Sequence, residues 1–159
     1  AEKKIMDMIR YPERLTYAGR LDKDSEGLIL LTNDGDLINV MMRGANRHEK
    51  EYIVKTDREI TPDFLEKMAK GIYLKDLDIT TRECEIEQIG KFTFRIVLTQ
   101  GVNRQIRRMC EACGYRVKAL KRIRIMNILL GDLKPGKWRE VTGEELEQLQ
   151  RDTGMLNRN

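Results

Sequence analysis

One aspartate and a group of arginines are the residues best suited to do chemistry. Asp22 ends the turn-like stretch Gly19-Arg20-Leu21-Asp22, shortly before an apolar run. A carboxylate can attack a sugar or base carbon if it stays ionised and is held in place. An arginine supplies both conditions, because its guanidinium binds a carboxylate through two hydrogen bonds and favours the charged form. As a bare pattern the signal is weak, since an aspartate in a turn is more often a helix cap.

The sequence lacks convincing motifs for a catalytic triad, a phosphate-binding loop, a zinc site or a calcium site. The single histidine, His48, has no nucleophile-elbow motif beside it, and no glycine-rich phosphate loop is present. Cys110-x-x-Cys113 offers zinc-type ligands, but both cysteines fall on the apolar face of an expected helix, where free cysteine packs as a small hydrophobe. Asp22-x-Asp24-x-Glu26-Gly27 imitates the start of a calcium loop, yet its closing position is Asn33. The sequence therefore predicts no zinc or calcium site.

The positive charge is concentrated in one segment. From Arg104 to Arg124 the chain has eight basic residues and one acid, Glu111, for a net charge of +7. The whole chain carries +4, so the remainder carries −3. Such concentration is typical of a surface that binds phosphate backbones. The alternative is a solvated face whose counter-charges come from elsewhere in the fold.

Composition indicates one compact domain. The 159 residues are 40% hydrophobic and 35% charged, with three cysteines, which excludes a disulfide-stapled miniprotein. No apolar stretch approaches the roughly 18 residues of a membrane span, and residues 1–10 contain no apolar signal core. We expect a soluble, cytoplasmic monomer with no membrane partner.

Helices and strands are expected in an irregular order. Strand-like patterns lie at 16–18, 28–31, 51–56, 79–89, 92–99, 117–130 and 138–141, and helical apolar faces at 5–9, 37–42, 64–69, 106–113 and 146–149. The expected helix starts are Asp34 or Asp36, Thr61, Asn103, and a capping box of Thr142 with Glu145. Because strands come in neighbouring groups with helices inserted, we expect an α+β fold with a mixed, largely antiparallel sheet and flanking helices.

Three motifs in order resemble one known family. They are GRLDKDSEGLILLTN at 19–33, Lys50-Glu51-Tyr52, and GVNRQIRRM at 101–109. Together they resemble the pseudouridine synthases of the ribosomal small-subunit synthase A class, over about residues 5 to 150. Within that family, residues 104–111 and 124–127 are most similar to members that act on the large ribosomal subunit. The resemblance implies the pseudouridine synthase catalytic fold.

The resemblance also implies a role for each matched residue. Asp22 matches the catalytic aspartate, Tyr52 the tyrosine that stacks on the target base, and Arg107 the basic residue that pairs with the aspartate. Leu98 falls on the hydrophobic position that flanks the base, and Arg20 on the arginine that approaches the space left by the flipped nucleotide. Further RNA or substrate contacts are expected from Lys50, Asn103, Arg104, Gln105 and Arg108.

The family isomerises uridine in RNA to pseudouridine without cofactor or metal. The resemblance therefore implies base flipping and action on large-subunit (23S) rRNA. Asp22 could attack the ribose carbon directly, or assist proton loss from the sugar to give a glycal. The alternatives are a synthase acting on small-subunit rRNA or a tRNA, and a non-catalytic RNA-binding or ribosome-assembly module. A pure binding module has no reason to keep Asp22, Tyr52 and Arg107 together.

One part of the family pattern is missing from residues 1–159. Members usually carry a small RNA-binding domain and then a Lys-Pro-x-Gly motif upstream of the aspartate motif, and neither is found here. We therefore expect residues 1–159 to form an N-terminally incomplete catalytic domain.

Overall fold

The computed structural model describes residues 14–155, so the helix expected at 5–9 lies outside the described residues. Within 14–155 the elements are β1 (Thr16–Ala18), β2 (Glu26–Gly27), β3 (Leu30–Thr32), α1 (Gly35–Met42), a 3-10 helix (Gly44–Asn46), β4 (Lys50–Thr56), α2 (Pro62–Lys70), β5 (Tyr73–Leu74), β6 (Ile79–Thr80), β7 (Glu85–Gly90), β8 (Thr93–Leu98), α3 (Gln105–Ala112), β9 (Val117–Ile125), β10 (Ile128–Leu129) and α4 (Gly143–Asp152). None of the helices in this part of the chain has the length and hydropathy that a membrane span requires.

The main sheet has the strand order β10-β9-β4-β8-β7, with neighbours antiparallel. Strand β2 adds a short parallel pairing to β9, which makes the sheet mixed. Two further antiparallel pairs, β1 with β3 and β5 with β6, form separate two-stranded sheets. The expected α+β class with a mixed, largely antiparallel sheet is confirmed.

The inner face of the main sheet carries the larger hydrophobic core. Side chains alternate along β4, so Tyr52 and Val54 share the face on which Phe94 and Ile96 of β8 lie opposite. Helices α2 and α3 cover that face with apolar side chains, among them Phe64, Met68, Ile106, Met109 and Cys110. A second core joins α1, α4 and strands β1 and β3 to the β9–β10 hairpin.

Two helices begin where the sequence predicts, because a capping side chain accepts hydrogen bonds from the N–H groups of the first turn. The Thr61 hydroxyl accepts from the Phe64 N–H at 3.1 Å, and Pro62 occupies the first turn. The Asp34 carboxylate accepts from the N–H groups of Asp36 and Leu37 at 3.1 and 3.3 Å. Both starts agree with the sequence, and Asp34 rather than Asp36 is the cap.

The strand expected at 79–89 is wrong, because polar contacts divide it into β6 and β7. Buried Thr81 accepts a hydrogen bond from the Ile72 N–H at 2.8 Å. Arg82 Nη1 donates to the carbonyls of Thr99 and Gly44 at 2.7 and 3.1 Å. These contacts keep residues 81–84 from pairing with a neighbouring strand.

The strand at 138–141 and the capping box at Thr142 are also wrong. Residues 138–141 pair with no strand in the described part of the chain. The Glu145 carboxylate is bound by Arg139 at 2.6 and 2.9 Å, so it is not free to turn back to the helix start. The Thr142 side chain makes no capping hydrogen bond.

The apolar run at 28–31 forms a shorter strand than expected. Strand β3 begins only at Leu30. Leu28 instead donates its N–H to the carbonyl of Arg122 at 2.9 Å, which continues the contact between β2 and β9. Leu28 and Leu30 are buried while Ile29 and Leu31 are half-buried, so only one face of this run enters the core.

Candidate active site

Asp22 lies in a loop, residues 19–25, between β1 and β2. The Asp22 carbonyl accepts from the Ser25 N–H at 3.0 Å, which closes a turn behind the carboxylate. The Asp22 side chain is 38% exposed, and its Oδ2 lies 3.7 Å from Nη1 of Arg104. The carboxylate is thus accessible from solvent and has a cation beside it.

The start of α3 is bound to this loop mainly through Asp24. Arg104 donates two hydrogen bonds to the Asp24 carboxylate, of 3.0 and 2.9 Å. Arg107 donates to the Asp24 carbonyl at 2.6 Å and to the Ser25 hydroxyl at 3.3 Å. The hydrogen bond from Arg104, helped by the charge of Arg107, lowers the pKa of the Asp24 carboxyl to about 2. Asp24 is therefore the residue that joins the Asp22 loop to the helix.

The expected direct pair between Arg107 and Asp22 is not what the structure shows. In residues 14–155 the ion-pair partner of Asp22 is Arg104, while Arg107 Nε lies 3.4 Å from Oδ1 of Asp24. The reason is geometric: the turn at 22–25 presents the Asp24 carbonyl and the Ser25 hydroxyl to the Arg107 guanidinium. Arg107 thus contacts the loop that carries Asp22 at Asp24 and Ser25.

Strands β4, β8 and β9 form the floor beside this loop. Tyr52 and Lys50 are two residues apart on the same face of β4, and Leu98 of β8 lies directly opposite Lys50. Arg122 of β9 lies opposite Tyr52. Burial raises the pKa of the Tyr52 hydroxyl, the nearby Arg122 charge opposes that rise, and the Asp22 charge adds to it. Asp22, Tyr52 and Arg122 therefore share one site.

Arg122 is buried, with 2% of its surface exposed, so it is not the phosphate-binding surface residue that the basic segment suggested. Its Nε donates to the Leu28 carbonyl at 2.9 Å and its Nη2 to the Gly19 carbonyl at 2.6 Å. Burial lowers the pKa of the Arg122 guanidinium. Arg122 thereby ties both ends of the Asp22 loop to the sheet.

Gly27 makes that close approach of loop and sheet feasible. Its φ is +118°, and a Cβ there would clash with the backbone carbonyl of Arg122. Only glycine fits, because it has no side chain and tolerates a positive φ.

The remaining predicted contact residues are divided between surface and interior. Arg20 is exposed and Leu98 is buried on the floor. Arg108 donates to the Asn103 carbonyl and side-chain oxygen at 2.9 and 3.0 Å, so Asn103 braces Arg108. Gln105 is 4% exposed and donates to Gln100 at 3.2 Å, which argues against the RNA contact expected for it.

The N-cap of α3 also differs from the sequence expectation. The cap is Arg104, in the left-handed conformation with φ 49°, and not Asn103. No side chain caps this helix, because the Asn103 oxygen is taken by Arg108 and Arg104 reaches across to Asp24.

The basic segment is not one continuous free surface. Arg124 is half-buried and binds Glu51 at 2.7 Å and Glu49 at 3.1 Å. With Arg104 and Arg107 on Asp24, the exposed cations of β9 are Lys118 and Lys121. The fold thus supplies counter-charges for about half of the segment.

Sequence reasoning missed two residues of the site, Asp24 and Arg122. Asp24 was considered only as part of a calcium loop. For Arg122 a signal was present, because it alternates in phase with Leu120 on a strand and so falls on the apolar face. In residues 14–155 no three His, Cys, Asp or Glu side chains come together to hold a metal ion.

The mixed, largely antiparallel sheet and the Asp22 loop belong to a chain that matches one protein family over most of its length. The family model described as RNA pseudouridylate synthase matches residues 2–112. The chain belongs to this family.

Individual relatives narrow the relationship. The chain is 49% identical, over 145 residues, to the dual-specificity RNA pseudouridine synthase RluF of Escherichia coli K12, covering 91% of this chain and 49% of that protein. It is 36% identical over 140 residues to ribosomal small subunit pseudouridine synthase A of Vibrio parahaemolyticus, covering 86% and 60%. The chain thus spans about half the length of the RluF proteins it matches.

A solved structure agrees with the fold. A crystal structure of a pseudouridylate synthase superposes with a TM-score of 0.87 at 30% identity, covering 91% of this chain and 64% of that chain. The archaeal box H/ACA Nop10–Cbf5 complex matches with a TM-score of 0.51 at 17% identity, over 74% of this chain and 40% of that chain, and supports the fold alone.

Proposed function

We propose that this chain is the catalytic part of a pseudouridine synthase that converts a uridine in large-subunit rRNA to pseudouridine. The observation that carries the proposal is the placement of Asp22: its carboxylate is accessible, has Arg104 at 3.7 Å, and is close enough to influence the pKa of the Tyr52 hydroxyl. The second RNA class to consider is tRNA, since the RluF relatives are named as dual-specificity enzymes.

The reaction moves one bond within a nucleotide. The C1′–N1 bond breaks and its electron pair leaves with the base. The base turns, its C5 attacks C1′, the C5–C1′ bond forms, and the proton on C5 is lost while N1 gains one. Asp22 serves either by bonding to C1′ or by taking a sugar proton on the way to a glycal.

Each residue has a physical task in this scheme. The Asp22 carboxylate is held by the turn at Ser25 and has Arg104 at 3.7 Å. Burial raises the pKa of Tyr52, so at neutral pH its hydroxyl stays protonated and its ring offers an uncharged stacking surface. A base inside an RNA helix must flip out to reach this floor.

The test compares the chain with its Asp22→Asn variant. Both proteins are incubated with unmodified large-subunit rRNA and, separately, with unmodified tRNA, and pseudouridines are mapped after carbodiimide treatment. Asp132→Asn, an exposed aspartate outside the site, is the matched control. We expect a new pseudouridine with wild type and control, and less than a few per cent of it with Asp22→Asn.

The outcomes separate the alternatives. Product in rRNA, in tRNA or in both names the substrate. Activity of Asp22→Asn above a few per cent would remove Asp22 from its role. Salt-sensitive RNA binding by all three proteins without any product would indicate a non-catalytic binding module.

A further inference from the structure

Lys50 is a buried cation without a partner on the floor of the site. It is the first residue of β4 and only 9% of its surface is exposed. Its strand neighbours are Leu98 and Ile125, both buried and apolar. Within residues 14–155 no hydrogen bond or ion pair engages its ammonium group, although buried charges in proteins are normally paired.

A second buried cation, Arg122, adds to the positive charge beside Lys50. Burial lowers the pKa of the Lys50 ammonium, and the positive charge of Arg122 lowers it further. Arg122 is itself bound to the neutral carbonyls of Gly19 and Leu28 and to no carboxylate. The two carboxylates of the site, Asp22 and Asp24, both have Arg104 as an ion-pair partner. The floor therefore holds two positive charges that no anion of the described chain neutralises.

The position of Lys50 suits an anion lying on Tyr52. The two residues are two positions apart on one face of β4, about 7 Å along the strand, a separation that a lysine stem can span. A planar ring stacked on Tyr52 would present its edge to the Lys50 ammonium.

The proposed reaction creates such an anion. When the C1′–N1 bond breaks, its electron pair remains on the uracil and spreads over N1, O2 and O4. This holds whether Asp22 bonds to C1′ or a glycal forms. The charge disappears when the C5–C1′ bond has formed and N1 has gained its proton.

We propose that Lys50, backed by Arg122, is a catalytic residue that stabilises the negative charge of the detached uracil. The inference rests on the proposed function and assigns a task to a residue that stacking and nucleophilic attack leave without one. Preorganised charges aimed at a developing anion contribute about 100-fold to 1,000-fold in rate.

The first measurement is single-turnover conversion of an RNA substrate that the wild-type chain modifies. We expect Lys50→Met to slow the reaction about 100-fold or more while RNA affinity changes less than about threefold, and Lys50→Arg to retain most of the rate. Lys55→Met is the matched control, since Lys55 is an exposed lysine on the opposite face of the same strand. A Lys50→Met rate within threefold of wild type, or a loss confined to affinity, would overturn the proposal.

A second measurement distinguishes charge stabilisation from packing. Fluorine at C5 withdraws electrons and stabilises the base anion, so cleavage of the C1′–N1 bond of 5-fluorouridine in the same RNA should be impaired at least tenfold less by Lys50→Met. An equal impairment with uridine and 5-fluorouridine would contradict the proposal.

Stability supplies a readout that does not depend on activity. Replacing a buried, unpaired cation by methionine should leave the thermal unfolding midpoint unchanged or raise it. A clear drop would indicate a structural role for Lys50 and overturn the inference. If the wild-type chain forms no pseudouridine in any RNA, the proposed function is the part that fails, and the inference falls with it.

Discussion

The expected role of each cation in this site depends on the groups to which it donates hydrogen bonds, more than on its charge. Arg122 and Lys50 are both buried cations on the same floor, yet Arg122 satisfies two backbone carbonyls and Lys50 satisfies none. The carbonyls of Gly19 and Leu28 flank the loop that carries Asp22. Removing the arginine should therefore affect the loop, whereas removing the lysine should affect chemistry.

We expect Arg122→Met to lower the free energy of unfolding by about 2–4 kcal/mol, because the buried carbonyl of Leu28 and the part-buried carbonyl of Gly19 lose their donors. Urea unfolding followed by circular dichroism measures this. Arg116→Met, at an exposed arginine next to the start of β9, is the control and should change stability by less than about 0.5 kcal/mol. A loss for Arg122→Met no larger than the control would show that the loop does not depend on this residue.

Among the elements, the docking of α3 on the Asp22 loop matters most for the site. The helix begins with Arg104 in a left-handed conformation and has no capping side chain. Its start is held instead by Arg104 and Arg107 on Asp24. Ion pairs with the Asp24 carboxylate therefore hold the helix to the loop. Protonation of Asp24 at low pH should weaken this contact.

Asp24→Asn tests this contact through its pH dependence. The pKa of Asp24 is lowered from 3.8 to about 2 in the folded chain. A carboxyl whose folded pKa is depressed contributes stability above its unfolded pKa, and that contribution is lost as the pH falls through the folded pKa. We expect the variant to be less stable than wild type at pH 5 and the difference to shrink between pH 4 and pH 2.

Urea unfolding at a series of pH values checks this expectation. Asp63→Asn reports the background effect of replacing an exposed aspartate, because in residues 14–155 the ion-pair partner of Asp63 is Lys67 of the same helix. A difference between wild type and Asp24→Asn that stays constant from pH 5 to pH 2 would contradict the proposed role of this contact.

Over the whole molecule, the positive charge that a polyanion could use is smaller than the sequence suggests. Arg122 is buried, and Arg124 is paired with glutamates. Lys118 and Lys121 remain as exposed cations of β9. With exposed Arg116, these two lysines are the part of the basic segment left to contact RNA phosphates from outside the site.

We expect the double variant Lys118→Ala, Lys121→Ala to weaken RNA binding regardless of sequence and to reduce the slope of log K against log salt by about 1.5, from two lost phosphate contacts. Filter binding or fluorescence anisotropy over a salt series measures this. The control is Lys67→Ala, Lys70→Ala on α2, where both lysines are exposed. Equal slopes for the two double variants would place the RNA on another face.

Much of the fold followed from the local sequence. Thr61-Pro62 and Asp34 start their helices as expected, and the alternation of β4 and β8 places Tyr52 and Leu98 on the inner face. These features depend on hydrogen bonds and periodicities within a few residues. The motifs likewise selected Asp22 and Tyr52 as candidate site residues, because a residue type at a fixed spacing is local information.

The partners of the charged residues were decided only by the tertiary structure. Arg104 binds Asp24 from 80 residues away, and Arg122 reaches Gly19 across 103 residues. A guanidinium has the same local preferences whether it ends on a phosphate, a carboxylate or a backbone carbonyl. Which of these it meets depends on the packing of distant strands and loops. The sequence by itself therefore determined which charged side chains are available, and the tertiary structure determined the partner of each one.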